Sequence, residues 1–377
     1  MDSVDDRFNL SPDSMQRSGP KPQRQIELDF IRGIAILLVV DYHEGSLLLA
    51  PFRRLYPQNF EGAVGVAIFF VLSGFLVGGL LMREWKERHS LDWKRFLIRR
   101  GLKIWPQYYV FILIILLTGH RPLVQMWGNI LNIQNYIGGV AHTWSLAVEE
   151  HAYLFLTAVI AVGVARQVSK RHMFLGLAAL AAGLSVFRDV QSSRGVPVFL
   201  PSQYRMTGIL FGVLIAMLFH FWPHHFARLQ SSRAVWVTVI AGWLVYQAAL
   251  VRYPRLGAVL YDSLDLLGVA TLLLLYRSSP TLGRKNPVYR SVAWIGLYSY
   301  GIYLWHVSVG DPISRLLARL PHTLSPLVVD LIKMAIGIAL GIVMSELVEI
   351  PMLRLRDRIF PKQTRSRLEV GIEEVAR

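Results

Sequence analysis

Cysteine is absent from the sequence, and charged residues are scarce in it. The lack of cysteine excludes disulfide bonds, a thiolate nucleophile and cysteine-ligated metal. Charged residues make up 17% of the 377 residues, against about 25% in an average soluble domain. Apolar residues make up 53% of the chain. These proportions favour a protein embedded in a bilayer over a soluble domain.

The net charge of +15 is the one feature of the composition that suggests a nucleic-acid partner. A nucleic-acid interface needs its basic residues gathered on one soluble face. In this sequence they fall in short stretches between apolar runs, so membrane topology accounts for them and we expect no nucleic-acid partner. The first 25 residues are polar and contain no apolar core, and we expect no cleavable signal peptide.

Ten apolar segments are candidates for membrane-spanning helices, because a span needs about 20 mostly apolar residues. They are 27–47, 62–82, 102–119, 143–164, 172–187, 203–221, 234–251, 257–276, 291–310 and 326–350. The sequence therefore predicts an all-α fold, a polytopic membrane bundle of about ten transmembrane helices. We expect a disordered tail at 1–26, the transmembrane domain at 27–350 and a basic tail at 351–377.

The distribution of lysine and arginine predicts how the bundle is oriented. With the N-terminus inside, the predicted inner segments hold 28 lysine and arginine residues and the predicted outer loops hold nine. An excess of positive charge marks the cytosolic side. The sequence therefore predicts that both termini are cytosolic, and the shortness of the loops places any chemistry within the bundle or at its rims.

Arg32 and His43 are ionisable residues within the first predicted span. Such residues are costly in a membrane and usually face the bundle interior in a functional role. Their spacing puts them within about 20° of each other around the helix and about 16 Å apart along it. Imidazole is suited to take a proton near neutral pH. The alternatives are a structural histidine bonded to backbone and an arginine that only anchors the inner end of the helix.

The fourth predicted span opens with the segment from Trp144 to His151, which includes Glu149 and Glu150. We expect these carboxylates to lie in the same outer layer as His43. A carboxylate beside a histidine orients the ring and stabilises its protonated form. The alternative is that the carboxylates stabilise the start of a helix through its dipole.

Basic residues recur at helical spacing where the third predicted span begins: Arg95, Arg99, Arg100 and Lys103. Arginine binds phosphate in a bidentate manner, so the cluster suits a phosphorylated ligand, of which coenzyme A is one. The alternative is topogenic charge in contact with anionic lipid head groups.

Further candidate site residues are Ser73, Trp144, Tyr303 and His306. Ser73 and the glycine after it form a small pair in an apolar helix, and close helix packing is favoured over catalysis there. The ninth predicted span carries Tyr303 and His306 toward the outer side. This segment either lines an acceptor site or belongs to an aromatic belt.

Several motifs, in their order along the chain, resemble the acyltransferase-3 family of integral membrane O-acyltransferases. They are 28–33 through His43, Phe69 to Gly74, Arg99-Arg100 to Pro106, Trp144-Ser145-Leu146 with Glu149, Tyr298-Ser299-Tyr300 to His306, and Glu349-Ile350-Pro351. The resemblance implies a ten-span bundle, an acyl-CoA donor, most often acetyl-CoA, and acceptors that are usually sugar hydroxyls. It also implies a bacterial inner-membrane location and a lipid bilayer as surroundings.

The resemblance also implies roles for individual residues. Arg32 and His43 match the essential arginine and histidine of the family's first span. Arg100 and Lys103 occupy its paired-arginine position, where lysine keeps the charge but loses the planar fork. We expect no metal and no tightly bound cofactor, with acyl-CoA as the donor substrate. Some family members carry an esterase-like domain after the bundle, which we expect this chain to lack.

These observations lead to one main functional hypothesis and two alternatives. The main hypothesis is a membrane acyltransferase with His43 as general base or transient acyl carrier, acting on a hydroxyl of a carbohydrate or another small acceptor. The first alternative is a proton-coupled secondary transporter that uses the same intramembrane residues. Transporters often contain matching repeats, and none is visible in this sequence. The second alternative is a scaffold or sensor without catalysis.

Overall fold

The computed structural model of the chain describes residues 26–45, 60–119, 121–234, 236–237, 239–241, 243–244, 259–277, 286–319 and 324–361. Within these ranges the regular elements are all helical, which confirms the predicted all-α class. Much of the predicted seventh span, 234–251, and of the predicted tails, 1–26 and 351–377, lies outside the described residues.

The α-helices are numbered here in chain order. They are α1 Ile26–Glu44, α2 Phe60–Arg88, α3 Trp93–Leu117, α4 Trp127–Ile130, α5 Gln134–Ile137, α6 Trp144–Ala165, α7 Lys170–Ser193, α8 Ser202–Arg205, α9 Thr207–Phe221, α10 Pro223–Ser231, α11 Val259–Arg277, α12 Pro287–Leu297, α13 Ser299–Trp305, α14 Gly310–Leu317, α15 Pro326–Met344 and α16 Ile350–Ile359.

Five described helical stretches are long and apolar enough to cross a membrane, which makes this a membrane protein. They are Gly62–Arg88, Trp93–Leu117, Ala141–Ala165, Lys170–Ser193 and Pro326–Ile359. A sixth crossing arises if α9 and α10 count as one span, although they meet at a bend of 117°. These stretches correspond to six of the ten predicted segments. The number ten and the cytosolic placement of both termini stay predictions.

Two other predicted spans differ from plain apolar helices. The first corresponds to α1, which has 19 residues but carries acidic and basic side chains along its length. The predicted ninth span, 291–310, is divided into α12, α13 and a 3₁₀ turn that begins at His306. A broken helix leaves backbone carbonyl groups near its end available to side chains, and such breaks in membrane proteins are found where the backbone is buried in protein.

Helix α2 is the central element of the bundle and packs against α1, α9 and α11. Its contact with α9 is unusually close at two glycines. A Cβ atom on Gly74 would lie 2.0 Å from the carbonyl oxygen of Ile209, and one on Gly212 would lie 2.1 Å from that of Val71. Glycine lets the two backbones approach each other where any larger residue would separate them.

The bundle has two chemically distinct ends. Helix α2 begins where Gly62 packs against Tyr42 of α1, close to His43, and it finishes at Arg88. We call the first of these the histidine end, defined by His43, His142 and His306. The other is the basic end, formed by the last turn of α2 and the first turns of α3.

Candidate active site

A cavity of about 980 Å³ lies inside the bundle and extends inward from the basic end. Helix α2 lines it over most of its length, because residues of α2 at intervals of three or four positions all face the cavity. They are Val66, Phe69, Phe70, Leu72, Ser73, Leu76, Leu80, Arg83, Glu84, Glu87 and Arg88. At a rise of 1.5 Å per residue this stripe is about 33 Å long, close to the roughly 30 Å hydrocarbon thickness of a bilayer.

All four residues predicted to bind a phosphorylated ligand line this cavity. Arg99 forms an ion pair with Asp357 of α16 at 2.9 Å, and Arg95 donates a hydrogen bond to the carbonyl oxygen of Pro361. The guanidinium of Arg100 lies 4.5 Å from the centre of the Tyr153 ring. Lys103 lies one turn farther along α3 on the same wall. The structure thus brings the predicted basic cluster onto one surface.

Ser73, Tyr153 and Glu149 form a hydrogen-bonded group at the middle of the cavity. The Tyr153 hydroxyl donates to Glu149, and the Ser73 hydroxyl is bonded to the same tyrosine oxygen. Both Ser73 and Glu149 line the cavity. The small pair at Ser73 and Gly74 therefore does two things, because the glycine packs against α9 while the serine faces the cavity.

Arg32 and Glu349 also line the cavity, and Glu349 was not among the predicted site residues. Arg32 forms an ion pair with Asp29 of its own helix at 3.2 Å. Glu349 ends a π-helical turn and accepts a hydrogen bond from the Ser345 hydroxyl at 3.1 Å. Such turns are frequent at functional sites. The Glu349-Ile350-Pro351 segment noted in the sequence was the available signal.

Tyr303 separates the cavity from the histidine end. It lines the cavity together with Ser145, and the hydroxyl oxygens of the two residues lie 2.5 Å apart. The Tyr303 hydroxyl also donates to the carbonyl oxygen of His142. The ring of Tyr303 lies 5.9 Å from that of His142 and 6.1 Å from that of His306, centre to centre.

Three histidines meet at the histidine end. The ring centre of His43 lies 4.9 Å from that of His306 and 6.3 Å from that of His142, and the latter two are 5.6 Å apart. His43 is exposed, whereas His142 and His306 are buried. The sequence predicted His43 and His306 as site residues but missed His142, which lies two positions before the Trp144-Ser145 motif.

The carboxylates expected beside His43 lie elsewhere. Glu149 is in the Ser73 and Tyr153 layer, and Glu150 accepts a hydrogen bond from the Trp105 indole at 3.1 Å. Among the described residues neither carboxylate is bonded to His43. The expectation of a shared layer was wrong because α6 begins at Trp144, level with the histidines, and Glu149 follows more than one helical turn deeper.

Trp144 packs into the core and does not line the cavity. Its ring lies 6.1 Å from that of Phe70 and 4.9 Å from that of Phe199, and the Arg205 guanidinium lies 5.3 Å from its centre. The structure therefore places this tryptophan in the packed core beside the cavity.

The predicted outer loop 120–142, which the structure describes from residue 121 onward, folds over the histidine end together with Thr143. Asn129 is fully buried and donates to the hydroxyls of Thr143 and Tyr108 at 2.8 and 3.1 Å, while Gln134 donates to the Thr143 carbonyl at 2.8 Å. These bonds hold the segment against α3 and α6. They also position His142, which belongs to the same segment. Its Nε2 atom lies 3.1 Å from the carbonyl oxygen of Leu304.

Comparison with known proteins identifies the family of the chain. A family model described as an acyltransferase domain, that of the acyltransferase-3 family, matches residues 25–346. The chain is 28% identical over 327 residues to a peptidoglycan O-acetyltransferase of Listeria monocytogenes, covering 75% of this chain and 49% of that protein. It is 26% identical over 321 residues to a putative O-acetyltransferase of Staphylococcus aureus, covering 75% and 50% of the two chains.

A further relative is a putative peptidoglycan O-acetyltransferase of Bacillus subtilis, 26% identical over 330 residues, covering 75% of this chain and 48% of that protein. The chain thus spans about half the length of these curated relatives. No solved structure matches it. Because the family match covers most of the sequence, including the three histidines and the cavity-lining residues of α1, α2, α3 and α6, the chain belongs to the acyltransferase-3 family.

Proposed function

We propose that this protein is a membrane O-acetyltransferase that moves an acetyl group from acetyl-CoA at the basic end to a carbohydrate hydroxyl at the histidine end. The observation that carries the proposal is the long cavity, which has cations at one end and finishes at Tyr303. The Tyr303 ring contacts the buried imidazoles of His142 and His306, and His306 in turn contacts the exposed imidazole of His43. Such a path lets a donor and an acceptor meet from opposite sides of a membrane.

The donor's phosphate groups bind at the basic end. Arg99 is bonded to Asp357 of α16 and Arg95 to Pro361, two residues beyond that helix, so both arginines shape the mouth of the cavity. Arg100 and Lys103 lie deeper, and the Nε atom of Arg100 has no hydrogen-bond partner among the described residues. Half-buried cations of this kind favour an anionic ligand, because charge-assisted hydrogen bonds to phosphate compensate for the lost solvation.

The narrow arm and the acetyl group of the donor extend along the α2 stripe. Above the cations this wall is apolar from Leu80 to Val66, apart from Ser73. An apolar wall suits a thioester and its acetyl group, which carry no charge. Tyr303 and Ser145 at the far end of the channel supply the hydroxyl groups nearest the histidines.

His43 acts as the general base in the transfer step. The acceptor hydroxyl loses its proton to Nε2 of His43, and its oxygen attacks the thioester carbonyl carbon. A carbon–oxygen bond forms, the carbon–sulfur bond breaks, and coenzyme A leaves as the thiolate. Positioned general bases of this kind contribute roughly 10² to 10⁴-fold to a rate.

The acceptor we propose is a hydroxyl of a cell-wall glycan. Two of the relatives described above are named for peptidoglycan O-acetylation, which supports a carbohydrate acceptor on the far side of the plasma membrane. The basic end then faces the cytosol, where acetyl-CoA is available.

The test of the proposed function is acetyl transfer by purified full-length protein from labelled acetyl-CoA to peptidoglycan fragments. His43→Ala should abolish transfer while folding and coenzyme A binding persist, because it removes the base and leaves the basic end intact. His172→Ala is the matched control, since His172 is an exposed histidine bonded to Ser169 outside the cavity.

Two outcomes would count against the proposal: normal turnover by the His43→Ala protein, or no transfer by the wild type to any glycan tested. Radiolabel retained on the wild-type chain without acceptor, and lost in the His43→Ala protein, would instead identify His43 as a transient acyl carrier. Proton-coupled uptake into vesicles, without transfer, would favour the transporter alternative.

A further inference from the structure

His306 lies directly behind the proposed base, and its environment defines where both imidazoles carry their protons. We infer that His306 is the positioning residue for His43: it accepts the Nδ1 proton of His43, holds that ring with Nε2 facing outward, and shares the positive charge that forms during transfer. The inference rests on the proposed function for its catalytic meaning. The arrangement of protons that it requires is a property of the resting protein.

The proton on His306 is located by two backbone carbonyl groups. Its Nδ1 atom lies 2.9 Å from the carbonyl oxygen of Ile302 and 2.9 Å from that of Tyr303. Carbonyl oxygens only accept hydrogen bonds, so Nδ1 is the protonated nitrogen. In a neutral imidazole the other nitrogen, Nε2, then carries a lone pair and accepts. The break between α13 and the 3₁₀ turn brings the two carbonyl oxygens to this nitrogen.

The proton on His43 follows from its two neighbours. Its Nδ1 atom lies 2.8 Å from the Val39 carbonyl oxygen and 3.2 Å from Nε2 of His306. Both neighbours are acceptors, so Nδ1 of His43 is the donor and Nε2 keeps its lone pair. Because His43 is the exposed member of the three histidines, this lone pair is the one available to an acceptor hydroxyl.

His306 does something that the Val39 carbonyl does not. Imidazole nitrogen is basic, so it takes a share of the Nδ1 proton when His43 becomes protonated on Nε2. In serine hydrolases a carboxylate occupies this place behind the histidine. Here the two carboxylates expected in that place, Glu149 and Glu150, lie deeper in the bundle, and Glu44, next to His43 in the chain, is paired with Lys333. A neutral imidazole takes the role.

The residues around His306 hold it in a fixed position beside His43. His306 is completely buried, and Gly337 of α15 lies so close that an added Cβ would be 3.2 Å from the His306 Cα atom. His142 covers another side of the ring, and its Nε2 atom is held 3.1 Å from the Leu304 carbonyl oxygen. These contacts restrict the movement of the His306 ring beside His43.

The first test reads the protons directly. Full-length protein with ¹⁵N-labelled histidine is studied by NMR at about pH 8, where imidazole is neutral, and signals are assigned by single substitution. We expect protonated Nδ1 and unprotonated Nε2 on both His43 and His306. A proton on Nε2 of His306, or on Nε2 of His43, overturns the inference. This readout requires no activity, so it stands apart from the proposed function.

The second test compares two substitutions of His306 by acetyl-transfer kinetics. Glutamine reaches the same place and offers an acceptor oxygen, whereas methionine is of similar length without a strong acceptor. His306→Met should lower kcat at least about tenfold with KM for acetyl-CoA unchanged, and His306→Gln should stay within a few-fold of wild type. Thermal unfolding of both variants measures their folding.

A merely structural role predicts a different result, in which the kinetics follow the thermal stability of each variant. Equal kcat values for the two variants, or a methionine variant as fast as wild type, overturn the inference. If the methionine variant does not fold, the NMR spectrum of the wild-type protein tests the inference. Absence of transfer by the wild-type protein would contradict the proposed function. The NMR spectrum would then still test the arrangement of protons on His43 and His306.

Discussion

At the scale of single residues, Arg100 and Lys103 are the pair on which donor binding depends most. They are three positions apart on α3 and therefore share a face. Both line the cavity, beyond the arginines at its mouth. Arginine there provides a planar fork for two phosphate oxygens, and lysine provides a compact charge. The pair combines geometric recognition with simple charge neutralisation.

Replacing both residues with alanine should raise KM for acetyl-CoA about 10 to 100-fold and leave kcat much less affected. Loss of charged hydrogen bonds of about 1.5–3 kcal/mol corresponds to that range. Initial-rate kinetics with varied acetyl-CoA measure the effect. Lys94→Ala is the matched control, because Lys94 belongs to the same helix but lies over the Trp93 ring outside the cavity. Equal KM values in the double variant and the control would remove the pair from the donor site.

At the scale of the helix, α2 has two faces with different tasks. One face is the cavity stripe, and the other packs against α9 through Gly74 and Gly212. Because the cavity wall is the reverse side of this close contact, any change in the α2 to α9 distance also moves the residues along the stripe. The packing of the two helices and the shape of the cavity are thus linked.

Gly74→Ala should destabilise the protein by about 1–3 kcal/mol, the usual cost of overpacking a core. An added Cβ would meet the Ile209 backbone, which has no flexible end to move aside. Gly79→Ala on the same helix is the control, since its Cβ would be 3.5 Å from the nearest atom, the Nε2 of His220. Alanine also favours helix there by about 1 kcal/mol. Thermal unfolding in detergent measures both, and equal losses would contradict the close-contact argument.

At the scale of the whole molecule, the proposed function requires that the two ends of the bundle face opposite compartments. The absence of cysteine makes this testable, because a single introduced cysteine is the only thiol. Ser90 lies in the turn between α2 and α3 at the basic end, and Ser308 lies in the 3₁₀ turn after His306 at the histidine end. Both serines are exposed.

Ser308→Cys should react with a membrane-impermeant maleimide in intact cells, whereas Ser90→Cys should react only after permeabilisation. The two substitutions are chemically identical, so each serves as the other's control. Gel mobility after labelling with a large maleimide measures the reaction. The reverse pattern would place the basic end outside and remove cytosolic acetyl-CoA as its ligand.

Part of the site could be predicted from the sequence because the residues that indicate it lie close together in the chain. The basic residues of α3 recur at helical spacing, and that spacing alone puts Arg100 and Lys103 on one face. Arg32 and His43 were likewise placed at opposite depths of one helix by counting residues. Tyr153 was missed because a tyrosine in an apolar helix has no distinctive pattern. Only its bond to Glu149 and its contact with Arg100 give it a role.

The sequence by itself determined the all-α class, most of the described apolar spans and the basic face of α3, since hydropathy and helical period act over neighbouring residues. Only the tertiary structure decided which group stands behind His43. The partner is His306, 263 positions away, and not a glutamate of α6. Contacts between distant helices depend on where each helix starts and breaks, and on which backbones pack closest. Here α6 starts at Trp144, which places its glutamates away from His43. The helix break before His306 lies where that residue meets His43.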